Sequence, residues 1–294
     1  MASVIPPPYA QAAGFSNEGM RMRIAIVAPS TPIEPALAET VTEIAAGSHP
    51  QAELLFHPQC FLRHDHFAGD DATRRAALVE VANDPDIDAI WFARGGYGSC
   101  RIAADALAAM TPAARRKRWL GYSDAGFLLA GLYSLGFRDV AHGPMPQDAR
   151  REGGTAAIER ALAWLLTSDP AVLEPSLDDR PAAAFNITVL SQLLGTPLEP
   201  NLAGHVLMLE EVSEHAYRTD RALFHLTENP SIRRVAGIRM GRFSLVPDND
   251  PDFGRTPDEV VRYWCERSGI AYLGPADIGH DAGNLVVPFG ARGQ

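Results

Sequence analysis

Gly121-Tyr122-Ser123-Asp124 places a serine between the end of a short strand, Lys117-Arg118-Trp119-Leu120, and a helix-like apolar run from Ala125 to Tyr133. A strand that turns sharply into a helix presents the turn side chain at the carboxyl edge of a sheet. The backbone N–H that opens the helix then lies beside it. A serine so placed can attack a carbonyl as a nucleophile, with its neighbour's amide as an oxyanion donor. It can equally be a plain helix cap, with Asp124 as the acid of the first turn. The first reading is acyl-transfer chemistry, and it requires a base and an oxyanion site elsewhere in the chain.

Several residues compete for those roles. His280 lies in Asp277-Ile278-Gly279-His280-Asp281, after the apolar strand Ile270–Leu273, and the flanking Gly279 and Asn284 suggest a turn that aims the ring. Glu210-Glu211 ends the apolar run Val206-Leu207-Met208-Leu209, either as an orienting carboxylate at a strand end or as a solvated pair. Gly95-Gly96-Tyr97-Gly98 lacks the G-x-G-x-x-G spacing of dinucleotide sites, and nothing in the chain matches a P-loop. It reads as a turn needing unusual backbone angles, or as a glycine amide aimed at substrate where side-chain bulk would interfere. His64 and His66 flank Asp65 as a metal pair or as solvated loop residues, and His142 is either packed or part of a cleft. His205, His215 and His225 have no telling context. There is no H-E-x-x-H and no Cys/His cluster with metal spacing, so neither a metal nor a cofactor is expected.

The elements around these residues alternate. Arg23–Ser30 reads as a strand with a Pro-Ser turn, Glu34–Ala46 as a helix, Ala52–Phe56 as a strand, Ala72–Ala82 as a helix, Asp88–Ala93 as a strand and Arg101–Met110 as a helix. Such alternation with short connections implies a mostly parallel sheet covered on both faces, with sites at the carboxyl ends of its strands. Beyond Arg151-Glu152-Gly153-Gly154-Thr155 come a helix over Ala156–Thr167 and a proline-rich, acidic linker over Ser168–Pro181. Helices at Thr188–Leu194 and Ala216–Thr227 then alternate with strands at Val206–Leu209 and Arg234–Gly241. Thr256-Pro257-Asp258-Glu259 carries the cap, proline and glutamate of a helix start. The expected division is an extension over 1–21, a first domain over 22–150, a connection over 151–181 and a second domain over 182–294.

Composition narrows the partners. A net charge of −10, spread along 294 residues, argues against nucleic acid and against an anionic membrane surface. No apolar run approaches the roughly 20 residues of a membrane helix. Met1–Met20 has no basic region leading into an apolar stretch, so no secretory signal is expected, and Met20 or Met22 reads as an alternative start. Cys60, Cys100 and Cys265 form no disulfide framework, which fits reduced thiols in the cytoplasm.

Seven short blocks occur here in the order typical of the LD-carboxypeptidase family of serine peptidases, which this chain resembles from about Arg23 to Gly290. They are Val27-Ala28-Pro29-Ser30, Asp84–Ile90 with Arg94–Gly98, Gly121–Asp124, His142-Gly143-Pro144-Met145, Leu194-Gly195-Thr196-Pro197, Leu209–Val212 with Tyr217–Arg221, and Gly279-His280. The resemblance implies an α/β fold with an N-terminal Rossmann-like domain, a smaller C-terminal α/β domain and an active site between them. It implies Ser123 as nucleophile, Glu210 as orienting acid, His280 as general base and the amides of Asp124 and Gly96 as oxyanion hole. The implied substrate is a small murein peptide, cut between meso-diaminopimelate and a terminal D-alanine during cytoplasmic peptidoglycan recycling. A homodimer is implied as well.

Two departures stand out. Ala183-Ala184-Phe185-Asn186-Ile187 replaces the family's paired glycines in a segment read as a loop near the cleft. The chain ends at Gln294, soon after Val287-Pro288-Phe289-Gly290, where relatives often add a strand, so an abbreviated C-terminal edge is expected. Two other functions stay open: a microcin-immunity-type peptidase acting on a peptidyl- or aminoacyl-nucleotide, and a small-ligand binding protein without turnover.

Overall fold

Side chains alternate between two cores along the strands of the first sheet. On β1 (Met22–Val27) and β3 (Ala89–Phe92), Ala25, Val27, Ile90 and Phe92 face one core, while Ile24, Ile26, Ala89 and Trp91 face the other. Strands buried on both faces read as continuous apolar runs, which is what parallel sheets require. The computed structural model describes residues 21–291. The extension expected over 1–21 therefore lies, apart from Arg21, outside the described residues, as does Met20.

With β2 (Ala52–Phe56), β4 (Arg118–Gly121), β5 (Val140–His142) and β10 (Val287–Pro288), the first sheet has the order β10-β5-β4-β3-β1-β2. All pairs are parallel except β10 on β5. Helices α1 (Pro35–Ser48) and α5 (Gly154–Thr167) cover one face. Helices α2 (Asp71–Asn83), α3 (Ser99–Ala108) and α4 (Gly126–Ser134) cover the other. The chain departs from β1 and β3 toward opposite faces, so the loops after these two strands flank a topological switch point, where α/β sheets form crevices.

A second sheet, all parallel, has the order β6 (Ala182–Asn186), β7 (Val206–Val212), β8 (Gly237–Ser244), β9 (Tyr272–Pro275). Helices α6 (Ile187–Leu193), α7 (Ala216–Glu228) and α8 (Pro257–Ser268) pack on it. One apolar core runs from α4 through α6 into Phe185, Leu207 and Leu209, so the two sheets are joined by buried side chains. The α/β architecture expected from the sequence is the observed one, with a largely parallel first sheet and a second, all-parallel sheet.

Three local readings change. The segment containing Ala183 and Ala184 is the buried edge strand β6 and not a loop; alanine has little intrinsic strand preference, so the pairing with β7 decides it. The run from Ser168 to Pro181 is docked: Glu174 N–H donates to the Val286 carbonyl at 3.0 Å and its carboxylate accepts from Asp277 N–H at 3.2 Å. A single 3₁₀ turn, Ser123–Ala125, precedes α4. Among the described residues no helix is long and apolar enough to cross a membrane.

Candidate active site

Ser123 stands where β4 ends and the chain reverses into α4. It holds a left-handed backbone at φ +58°, rare for a residue with a β-carbon and worth about 1–2 kcal/mol of strain. The turn is tightened by Gly121, where a β-carbon would lie 2.8 Å from the Phe92 ring. Behind the serine, the buried Asp124 carboxylate accepts from the Ser30 hydroxyl and, at 2.8 Å, from Ser99 N–H. Burial pushes the Asp124 carboxyl above the usual carboxylate range. The side chain after the serine is thus an internal anchor, which leaves its backbone amide free to face the cleft.

Glu210 and His280 come from the second sheet. Glu210 is on β7 beside the irregular pairing with β8, and it is fully buried. His280 sits on the loop after β9, held to β8 where Arg242 N–H donates to the Ile278 carbonyl at 2.8 Å and Arg242 Nη2 to Asp281 Oδ1 at 2.9 Å. The two side chains meet Ser123 in one chain of hydrogen bonds. His280 Nδ1 lies 2.6 Å from Glu210 Oε2, and His280 Nε2 lies 3.0 Å from Ser123 Oγ. With the carboxylate ionised, Nδ1 carries the proton and donates to Glu210, which leaves Nε2 as acceptor for the serine hydroxyl. This arrangement can withdraw a proton from Ser123 as its oxygen attacks a carbonyl.

The glycine loop after β3 closes the other side. A β-carbon on Gly95 would lie 2.9 Å from Ser123 Oγ and 3.4 Å from Asp124 N, so only glycine lets this backbone lie against the serine. Gly96 has φ +103°, and its amide, like that of Asp124, has no hydrogen-bond partner among the described residues. The structure thereby brings Ser123, Glu210, His280, Asp124 and the Gly95–Gly96 backbone to one place. His66 packs beside Tyr97 of the glycine loop, ring centroids 6.3 Å apart, and among the described residues no group of three His, Cys, Asp or Glu suited to a metal exists.

A surrounding layer of polar contacts holds the site, and its pairings are not readable from residue order. Tyr122 lies 4.8 Å from the His280 ring, centroid to centroid, and its hydroxyl donates to Asp148 at 2.8 Å. Asn284 Oδ1 accepts from His142 Nε2 at 2.9 Å and from Gly279 N–H at 3.2 Å, fixing the residue before His280. Glu211 is buried rather than solvated; it accepts from Asn186 Nδ2 at 2.6 Å and from Thr188 N–H at 2.9 Å. Burial raises its carboxyl above the usual range. Tyr122 meets Asp148 across 26 residues and Asn284, expected as a turn residue, meets His142 across 142, so spacing carries no signal for either pair.

His142 supplies a pH test. Burial holds its imidazole below the ordinary value of 6.5, against the opposing pull of Glu210. Below pH 6.5 the unfolded chain takes up this proton before the folded protein does. Stability present above that pH is therefore lost on acidification, by at most about 1.4 kcal/mol per pH unit, until the folded pKa is passed. Urea unfolding between pH 7.5 and 5.5 is expected to show a smaller loss in His142→Gln than in wild type. Parallel profiles would remove His142 as the source.

Comparison with known proteins gives a consistent picture. Residues 24–143 match the model of the LD-carboxypeptidase N-terminal domain and residues 183–294 that of the C-terminal domain. A putative carboxypeptidase of Synechocystis is 31% identical over 250 residues, 82% of this chain and 81% of its own. The murein tetrapeptide carboxypeptidase of Pseudomonas aeruginosa is 26% identical over 284 residues, 91% of each chain. In fold, the crystal structure of a muramoyltetrapeptide carboxypeptidase from Oxalobacter formigenes superposes with a TM-score of 0.75 at 23% identity, covering 92% of this chain and 93% of the other.

Proposed function

This chain belongs to the LD-carboxypeptidase family, and from that premise we propose that it is a serine carboxypeptidase of cytoplasmic peptidoglycan recycling. It cuts the L,D bond between meso-diaminopimelate and the terminal D-alanine of a murein tetrapeptide. The observation that carries this reading is the continuous relay from Glu210 through His280 to Ser123, at 2.6 and 3.0 Å.

In the proposed reaction Ser123 Oγ bonds to the scissile carbonyl carbon while its proton passes to His280 Nε2. The carbonyl oxygen becomes an oxyanion facing the amides of Asp124 and Gly96, each worth about 3–4 kcal/mol of transition-state stabilisation. Glu210 stabilises the imidazolium. The carbon–nitrogen bond then breaks, and D-alanine leaves with the proton from His280. Water, deprotonated by the same ring, hydrolyses the acyl-serine and regenerates the hydroxyl.

Purified protein is expected to release D-alanine from murein tetrapeptide in buffer without added metal, followed by chromatography of the freed amino acid. A peptidyl-nucleotide assayed alongside separates the alternatives. Turnover of that conjugate with none of the tetrapeptide would move the substrate class to nucleotide conjugates. Binding of tetrapeptide without turnover of either would leave a binding protein.

A further inference from the structure

We infer that Thr31 is a positioning residue that holds the Gly95–Gly96 peptide with its N–H turned into the oxyanion site. The inference rests on the serine-hydrolase reading above and assigns a role to a residue outside the relay.

Thr31 lies on the loop after β1, across the switch point from the glycine loop, and is 5% exposed. Its hydroxyl donates to the Gly95 carbonyl at 2.7 Å. In a trans peptide the C=O and the following N–H point in opposite directions. Fixing the Gly95 carbonyl on Thr31 therefore sends the Gly96 N–H away from Thr31. Gly95 lies against Ser123 Oγ and Asp124 N on its own open side, as the positions of an added β-carbon show.

A fixed direction matters here because the peptide lies between two glycines. Glycine tolerates most backbone angles, so this unit can rotate at little steric cost and aim its carbonyl at a developing oxyanion. The Thr31 bond selects against that orientation. The methyl group adds a second restraint: a β-carbon on Gly96 would lie 2.7 Å from Thr31 Cγ2, so the glycine backbone sits directly on it. Thr31 is itself held firmly. Gln59 bridges this loop by accepting from Ala28 N–H at 3.2 Å and donating to the Ala28 carbonyl at 2.7 Å. The Ser30 carbonyl accepts from Ala68 N–H at 3.0 Å, and the Pro29 carbonyl accepts from Arg74 Nη1.

The test compares Thr31→Val, which keeps shape and removes the donor, with Thr31→Ser, which keeps the donor. On murein tetrapeptide, Thr31→Val is expected to lower kcat about 10- to 100-fold with KM within about twofold, part of the loss seen when an oxyanion donor is removed outright. Thr31→Ser is expected to stay within about threefold of wild type. A peptidyl aldehyde, which forms a tetrahedral adduct, should lose affinity in Thr31→Val in proportion to kcat, while inhibition by the tripeptide product is unchanged.

A Thr31→Val enzyme with wild-type kcat, or one whose loss lies in KM with aldehyde affinity intact, overturns the proposal. A loss beyond tenfold in Thr31→Ser also overturns it, because the hydroxyl is retained. If the valine variant fails to fold, Thr31→Ala is read by the same criteria. Ser123→Ala in the same assay separates the two levels: activity retained there overturns the serine reading itself, whereas an inactive Ser123→Ala beside a fully active Thr31→Val overturns only the role of Thr31.

Discussion

Ser123→Ala is expected to lower kcat for D-alanine release by at least about 10⁴-fold, since no other group can form the acyl bond. The fold should hardly respond. The only hydrogen bond of the hydroxyl to a described side chain is the one to His280, so its loss changes unfolding free energy by no more than about 1 kcal/mol. The backbone adds a second comparison. At φ +58° a β-carbon is strained and a hydrogen is not, so Ser123→Gly should be equally inactive yet more stable than Ser123→Ala by about 1 kcal/mol. Rate measurements with denaturant unfolding of the three proteins check both statements. Activity surviving in either variant would end the nucleophile assignment, and an alanine variant more stable than the glycine one would contradict the strain argument.

Glu210→Gln is expected to reduce kcat by about 10³- to 10⁴-fold with little change in KM. An amide carries no charge to stabilise the imidazolium. If its NH₂ turns toward the ring, it also forces the proton onto Nε2, so that histidine can no longer accept from Ser123. Stability should move the other way or not at all. Glu210 is 0% exposed, and its second oxygen, Oε1, has no hydrogen-bond partner among the described residues, so the folded protein bears much of the desolvation cost of that charge. An isosteric neutral side chain relieves it, and the thermal midpoint of Glu210→Gln should be at or above wild type. A variant that keeps a tenth of wild-type kcat would remove Glu210 from the mechanism. One that melts well below wild type would show the carboxylate to be a net structural contributor.

These expectations share a cause. In the proposed reaction the nucleophile comes from the first sheet and its partners from the second, so activity is expected to depend on the packing of Phe185, Leu207 and Leu209 against the helix behind Ser123. A misplacement of about 1 Å at the 3.0 Å contact can cost about 100-fold in rate.

What is local in this protein can be read along the chain. Apolar runs marked most strands and helical periodicity most helices, and Thr256 with Glu259 marked a helix start whose reciprocal cap is present at 2.7 and 3.3 Å. The turn at Ser123 and the glycine run at Gly95 were legible because each is written in consecutive residues, whereas the set of Ser123, Glu210 and His280, spread over 157 residues, was implied only by the family resemblance. The remaining features depend on partners brought together by folding. Alanine-rich β6 became a strand through pairing with β7, and β10 returned to pair with β5 across 145 residues. Thr31 found the Gly95 carbonyl across 64 residues, and His142 found Asn284 across 142. Such partners leave no periodic trace, because a single polar side chain is specified by what faces it in space and not by its neighbours along the chain.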